Sequence, residues 1–261
     1  MMPKIQLGSS GLEIARVGLG TVKFGRNQGV KYPAPFELPT DREIQALLSH
    51  AETLGINLLD TAPAYGTSEE RLGKLLSHRH HWILCTKVGE DYINGQSHFD
   101  FSAKAIQQSV ERSLRRLKTD YLDIVLVHSD GDDVRLIKEE MVFETLAKLK
   151  QKGMLRAYGM STKTVDGGML AVDHSDVVMV THNLLYTDEQ SVIAYASQKQ
   201  KGVLIKKAFA SGHLEKMPGS DPVMASLKFI FSEKGVSGVI TGTLQKTHLE
   251  HTVRCATTFF S

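Results

Sequence analysis

Four residues of the chain have types suited to one piece of chemistry: Asp60, Tyr65, Lys87 and His128. A phenol, an ammonium, a carboxylate and an imidazole together serve proton transfer to and from a carbonyl oxygen. A free phenol titrates near ~10, too high for easy exchange at neutral pH. An ammonium beside it favours the phenolate and lowers that value, and a carboxylate holds the ammonium in place. The imidazole supplies a further hydrogen bond that orients the reacting oxygen. No group here is a nucleophile with an adjacent base. The electron pair that reduces a carbonyl therefore has to arrive as hydride from a bound cofactor. Each residue alone also fits a structural role: Asp60 a loop cap, Tyr65 a loop aromatic, Lys87 a snorkelling side chain, His128 a satisfied core histidine. The grouping argues otherwise, because a buried lysine and aspartate are costly without a partner or a task.

These residues fall at or just beyond the ends of strands. Short runs apolar on both faces occur at 16–21, 56–60, 82–87, 121–128, 155–160, 176–180, 203–207 and 238–241. Such runs read as strands of a parallel sheet covered on both sides. Helical patterns follow them at 41–54, 68–78, 102–118, 137–152, 187–201, 221–234 and 247–258, with a weaker one at 163–173. In the 102–118 segment Ser102 is placed to cap, and Ile106, Val110, Leu114 and Leu117 share one face. Eight strand–helix units with right-handed crossovers predict an α/β fold, a closed (β/α)8 TIM barrel. A doubly wound sheet would want a third glycine after Gly18-Leu19-Gly20, and Thr21, Val22 and Lys23 follow instead. The segment 5–15 reads as an N-terminal β-hairpin able to plug the barrel bottom. In a barrel the C-terminal strand ends build the site, which brings all four residues to one mouth.

The 261 residues match the ~250 typical of a single barrel domain, expected here over 1–261. A formal charge of +2 and the lack of a basic run argue against a nucleic-acid partner. No apolar run reaches the ~18 residues of a membrane helix, and the N-terminus has no signal-peptide core. Cys85 and Cys255 form no framework, so a reducing, cytoplasmic setting is expected. The tract Ser77-His78-Arg79-His80-His81 has no zinc spacing and reads as a solvated helix end; no metal is expected. Asp130-Gly131-Asp132-Asp133 reads as a turn at the mouth and not as a calcium loop.

The sequence resembles the aldo-keto reductase family. The matching residues are Gly18-Leu19-Gly20-Thr21, Asp60-Thr61-Ala62-Pro63-Ala64-Tyr65-Gly66, Glu69-Glu70-Arg71-Leu72-Gly73, Thr86-Lys87-Val88-Gly89 and Leu126-Val127-His128. Gly159-Met160-Ser161, His182-Asn183-Leu184-Leu185 and Gly242-Thr243 continue the match in the family's order. The resemblance implies a catalytic tetrad of Asp60, Tyr65, Lys87 and His128, with Tyr65 as general acid/base, Lys87 and Asp60 tuning it, and His128 positioning the carbonyl. It also implies a nicotinamide cofactor across the mouth, NADP(H) first and NAD(H) as the alternative. Gly20, Thr21 and Asp60 lie on its path, with Ser161 and Asn183 at the carboxamide. Lys206, Lys207, Ser211 and Gly212 are candidates for the diphosphate. Gly242, Thr243, Lys246, His248 and Thr252, around the start of the last helix, are candidates for the adenosine phosphates. This chain departs from the family in having Met179 where a glutamine is common, Lys206-Lys207-Ala208 where an aromatic often stacks, and Thr252 in place of an asparagine.

Two other readings compete with an enzyme acting on a small carbonyl or alcohol. One is a non-catalytic, nicotinamide-binding redox-sensing subunit, which would have no need of both Tyr65 and Lys87. The other is a metal-dependent barrel hydrolase, which would want converging histidines and carboxylates where strands five to eight end in Met160-Ser161, Val180, Lys207 and Thr241. The chain stops soon after its last helix, and the loop at 129–136 is short, so an open pocket for small aldehydes or sugars is expected.

Overall fold

The computed structural model describes residues 2–216 and 219–260. An antiparallel hairpin, β1 (Lys4–Gln6) and β2 (Glu13–Ala15), precedes the barrel. The barrel strands are β3 (Val17–Gly20), β4 (Leu58–Asp60), β5 (Ile83–Val88), β8 (Leu122–His128), β9 (Leu155–Ser161), β10 (Val177–Thr181), β11 (Gly202–Lys206) and β12 (Gly238–Thr241). All pair in parallel in that order, and β12 closes on β3 through Val239 opposite Val17. The helices are α1 (Val22–Gly25), α2 (Asp41–Thr53), α3 (Ser68–Leu75), α4 (Ala103–Leu117), α5 (Asp133–Lys138), α6 (Val142–Gln151), α7 (Val165–His174), α8 (Gln190–Gln198), α9 (Pro222–Phe231) and α10 (Lys246–Thr257). The (β/α)8 barrel expected from the sequence is present, with each strand within two residues of its expected bounds. None of the helices described is long and apolar enough to cross a membrane.

Alternation along β8 shows why these strands are apolar throughout. Ile124 and Leu126 point into the barrel, where they meet Leu58, Cys85, Ala157, Val177, Met179 and Leu204. Val125 and Val127 point outward into the layer of helices. Both faces are dry, so a polar residue there needs a partner, as Asp123 has in Arg79 and Arg156. The inner cluster also takes Leu7, Leu12 and Ile14 from the hairpin, which plugs the barrel as expected. On α4, Ser102 Oγ accepts from Ala105 N–H at 3.3 Å and Lys118 ends the helix at φ 52°.

Two features differ from expectation. The helix expected over 137–152 is two helices, α5 and α6, broken at Met141 with φ 52°. Asp132 caps the first by accepting from Arg135 N–H. A second antiparallel hairpin, β6 (Glu90–Ile93) and β7 (Gln96–Phe99), follows β5. Its turn is Asn94-Gly95, both at positive φ, the pair that two-residue hairpin turns favour. That dipeptide was the signal in the sequence, but the flanking strands lack apolar alternation.

Candidate active site

Asp60 ends β4 and Lys87 lies near the end of β5, two strands that pair directly. Lys87 Nζ donates to Asp60 Oδ1 at 2.6 Å and to the Thr61 carbonyl at 2.9 Å. Their side chains are only 2% and 6% exposed, so the pair has left water almost entirely. Burial works against the Lys87 charge, but Asp60 and Tyr65 more than offset it and hold the ammonium above its ordinary pKa. Tyr65 is carried by a 3-10 turn, Pro63–Tyr65. Its ring lies 4.7 Å from Lys87 Nζ, and its hydroxyl donates to Asp60 Oδ2 at 3.3 Å.

A buried hydroxyl network pins this turn. Thr21 Oγ1 donates to the Asp60 carbonyl, Ser68 Oγ to the Thr21 carbonyl, and Thr61 Oγ1 to Ser68 Oγ. Gly66 follows Tyr65 at φ 62°, and a Cβ there would lie 2.1 Å from the Gly25 carbonyl oxygen. Only glycine lets the two loops meet this closely.

The phenol behaves differently from the expectation drawn from the ammonium alone. Burial raises the Tyr65 pKa first and the Asp60 charge raises it further, while Lys87 acts downward without reversing them. The side chain is therefore held as a neutral acid, ready to donate. His128 ends β8, with its ring edge-on to Tyr65 at a centroid distance of 6.4 Å. Burial lowers its pKa, and Glu90 opposes that. Glu90 Oε2 stands 2.7 Å from His128 Nδ1, off the axis of a well-aligned hydrogen bond.

The four residues open on a cavity of about 1200 Å3. It is larger than the ~300–1,000 Å3 of ordinary ligand pockets, with room for a dinucleotide and a small substrate. Gly20, Ser161, Asn183, Lys206, Lys207, Ser211, Gly212, Gly242, Thr243, His248 and Thr252 also line it. Two of the residues singled out in the sequence are not on its wall. Thr21 is buried beneath the site in the hydroxyl network, a positioning role. Lys246, the first residue of α10, is exposed.

The cationic residues do not act alike. Lys206 folds inward, donating to Ser161 Oγ at 2.9 Å and to the Thr162 carbonyl. Burial lowers its pKa to about 8 despite nearby Glu189. Lys207 pairs with no carboxylate among the described residues, and burial together with Lys31 and Lys163 lowers its pKa. Lys163, Lys206 and Lys207 line one cavity and repel one another, which suits an anionic ligand. Asn183 is partly committed: its Nδ2 donates to the Lys207 carbonyl and its Oδ1 accepts from Leu185 N–H. Thr252 Oγ1 donates to the His248 carbonyl within its own helix.

Sequence reasoning missed two parts of the site. One is Glu90, which stands against His128 and is not itself on the cavity wall. The other is the segment Tyr32-Pro33-Ala34-Pro35-Phe36, which crosses the mouth. Lys23 Nζ sits 4.1 Å from the Tyr32 ring and 5.0 Å from the Phe36 ring, a cation–π clamp on this strap.

A parallel barrel with a lysine–aspartate pair beneath a tyrosine, at the C-terminal mouth of the strands, defines a barrel oxidoreductase. The chain belongs to the aldo/keto reductase family, whose model matches residues 16–224. The crystal structure of a Pseudomonas aeruginosa protein assigned as an aldo-keto reductase superposes with a TM-score of 0.90 at 48% identity, covering 99% of this chain and 96% of that one. Aldo-keto reductase YhdN of Bacillus subtilis is 32% identical over 82% of this chain and 64% of its own length. L-Galactose dehydrogenase of Arabidopsis thaliana is 28% identical over 98% of this chain and 89% of its own length.

Proposed function

We propose that the protein interconverts a small aldehyde, ketone or sugar and its alcohol by hydride exchange with NADP(H), with Tyr65 as general acid/base. The observation that carries this reading is the dry Asp60–Lys87 pair set under the Tyr65 phenol at the floor of the cavity. A structural ion pair would not need a tyrosine held against it at a cavity floor.

When bound, a nicotinamide supplies hydride to the carbonyl carbon, or accepts it from the alcohol. In reduction Tyr65 Oη gives its proton to the carbonyl oxygen, and the phenolate left behind is stabilised by the Lys87 ammonium. In oxidation the same phenolate takes the alcohol proton. Asp60 keeps Lys87 charged and in place throughout. His128 lies on the same wall and orients the substrate oxygen.

The donor set fits a dinucleotide phosphate. Lys207, unpaired and repelled by its neighbours, supports a diphosphate site together with Ser211 and Gly212. Gly242, Thr243 and His248 at the start of α10 would hold the adenosine phosphates, helped by the positive end of that helix. Gly20, Ser161 and Asn183 would flank the nicotinamide. The name of the Arabidopsis relative supports keeping sugars among the substrates. The test is a panel of aldehydes, ketones and sugars followed by nicotinamide absorbance in both directions. Turnover of one or more supports the reading; tight NADPH binding without turnover of any favours a sensor.

A further inference from the structure

We propose that Glu90 is a positioning residue for His128: it keeps the imidazole proton on Nδ1, so that neutral His128 presents an Nε2 lone pair to the cavity and donates from Nε2 only as an imidazolium. The inference deepens the functional reading above and rests on it for its catalytic consequence. It begins with the 2.7 Å separation of Glu90 Oε2 and His128 Nδ1. Although the contact is off the hydrogen-bond axis, at that distance the carboxylate attracts a protonated Nδ1 and repels an unprotonated one. The proton therefore belongs on Nδ1 whenever Glu90 is ionised.

Glu90 has reasons to stay ionised besides His128. Its Oε1 accepts from Ser97 Oγ at 2.5 Å, across the β6–β7 ladder. The Arg26 guanidinium also acts on it, and together with His128, whose effect is the largest of the three, these groups outweigh burial and bring its pKa to about 2. Nδ1 is buried and makes no well-aligned hydrogen bond among the described residues, while the side chain itself lines the cavity, which leaves Nε2 as the nitrogen that can serve a ligand. The groups facing the imidazole are Glu90 from β6, Lys87 from β5, Lys206 from β11 and the Tyr65 ring. Both lysines disfavour its charge and Glu90 alone favours it.

The consequence is an asymmetry between directions. Near neutral pH, Nε2 is an acceptor. It suits an alcohol, and above all a substrate with a second hydroxyl beside the reacting carbon, which can donate to Nε2 while the reacting oxygen meets Tyr65. Carbonyl reduction gains its second donor only as His128 protonates, so its kcat/KM should rise as pH falls through the His128 titration.

The test is a long-range 1H–15N correlation of the histidine rings in 15N-labelled protein, with His128 assigned by its loss in His128→Gln or His128→Asn. The expected result is the Nδ1–H tautomer at neutral pH. In folded Glu90→Gln, the His128 midpoint should fall by about one pH unit, because the opposing charge is gone. An Nε2–H tautomer in the unsubstituted protein overturns the proposal, as does an unchanged midpoint in the variant. The wild-type reading needs neither substitution at Glu90 nor turnover. An Nδ1–H tautomer in a protein that turns nothing over supports the pairing and counts against the functional reading instead.

Discussion

Asp60 and Lys87 lie 2.6 Å apart with almost no exposure, and neither can be removed without stranding the other. Lys87→Met leaves a buried carboxylate without its partner, which should cost on the order of 3 kcal/mol, read from the melting transition. It also removes the one group that lowers the Tyr65 pKa. The oxidative pH optimum should therefore climb, because oxidation needs the phenolate; an unchanged profile would refute the coupling. Glu90 gives a second pH signature. Its folded pKa lies below the ordinary value of 4.5, at about 2, so its contribution to stability is present above about 4.5 and lost as pH falls toward 2. Acid unfolding of Glu90→Gln should show a shallower stability loss across that window, and an equal slope would remove Glu90 as a cause. The meeting of Asp60, Tyr65, Lys87 and His128 at one cavity was legible from residue types at or just beyond strand ends, since strand ends are where a barrel exposes polar groups. Glu90 was not, because nothing local links it to a histidine 38 positions away.

The elements divide by how they are stabilised. The eight strands were readable because each buries both faces, and that demand leaves a continuous apolar run. α5 and α6 merged in the sequence because their apolar spacing continues across Met141, whose left-handed backbone has no composition signal. The strap at 32–36 and the β6–β7 hairpin bury little of their own and are held by Lys23, Arg26 and His128, contacts between segments that their local sequence does not announce. The Tyr65 turn is the element on which chemistry depends most. Gly66→Ala puts a Cβ into the Gly25 carbonyl at a positive φ, so the turn must move. Turnover should fall at least about tenfold, with a stability loss of roughly 1–2 kcal/mol, since strained backbone positions of this kind cost that much. A variant with wild-type rate and melting temperature would show that the turn is not held as described.

At the scale of the molecule, the barrel gathers Lys163, Lys206 and Lys207 around the same cavity as Tyr65, the proposed proton donor. With a net charge of only +2, the proposed anion binding has to come from local placement of Lys163, Lys206 and Lys207, not from a global field. Among the candidates for a 2′-phosphate, Lys246 is exposed and off the cavity wall, and no arginine precedes Arg254 in α10. A single mobile ammonium is a weaker clamp than a bidentate guanidinium. NADPH should bind more tightly than NADH by a modest, salt-sensitive margin, which Lys246→Ala should narrow. Equal losses for both cofactors would show that Lys246 does not read the phosphate.

The central claim is that the Tyr65 hydroxyl transfers the proton while the rest of the site binds and orients. Tyr65→Phe deletes that one oxygen, leaving the ring over Lys87 and the cavity unchanged in shape. The direct measurement is steady-state turnover on the best substrate of the panel, alongside the NADPH dissociation constant. The account predicts a fall of about 10²–10⁴-fold in kcat with NADPH affinity nearly unchanged. Turnover at the wild-type rate would contradict it.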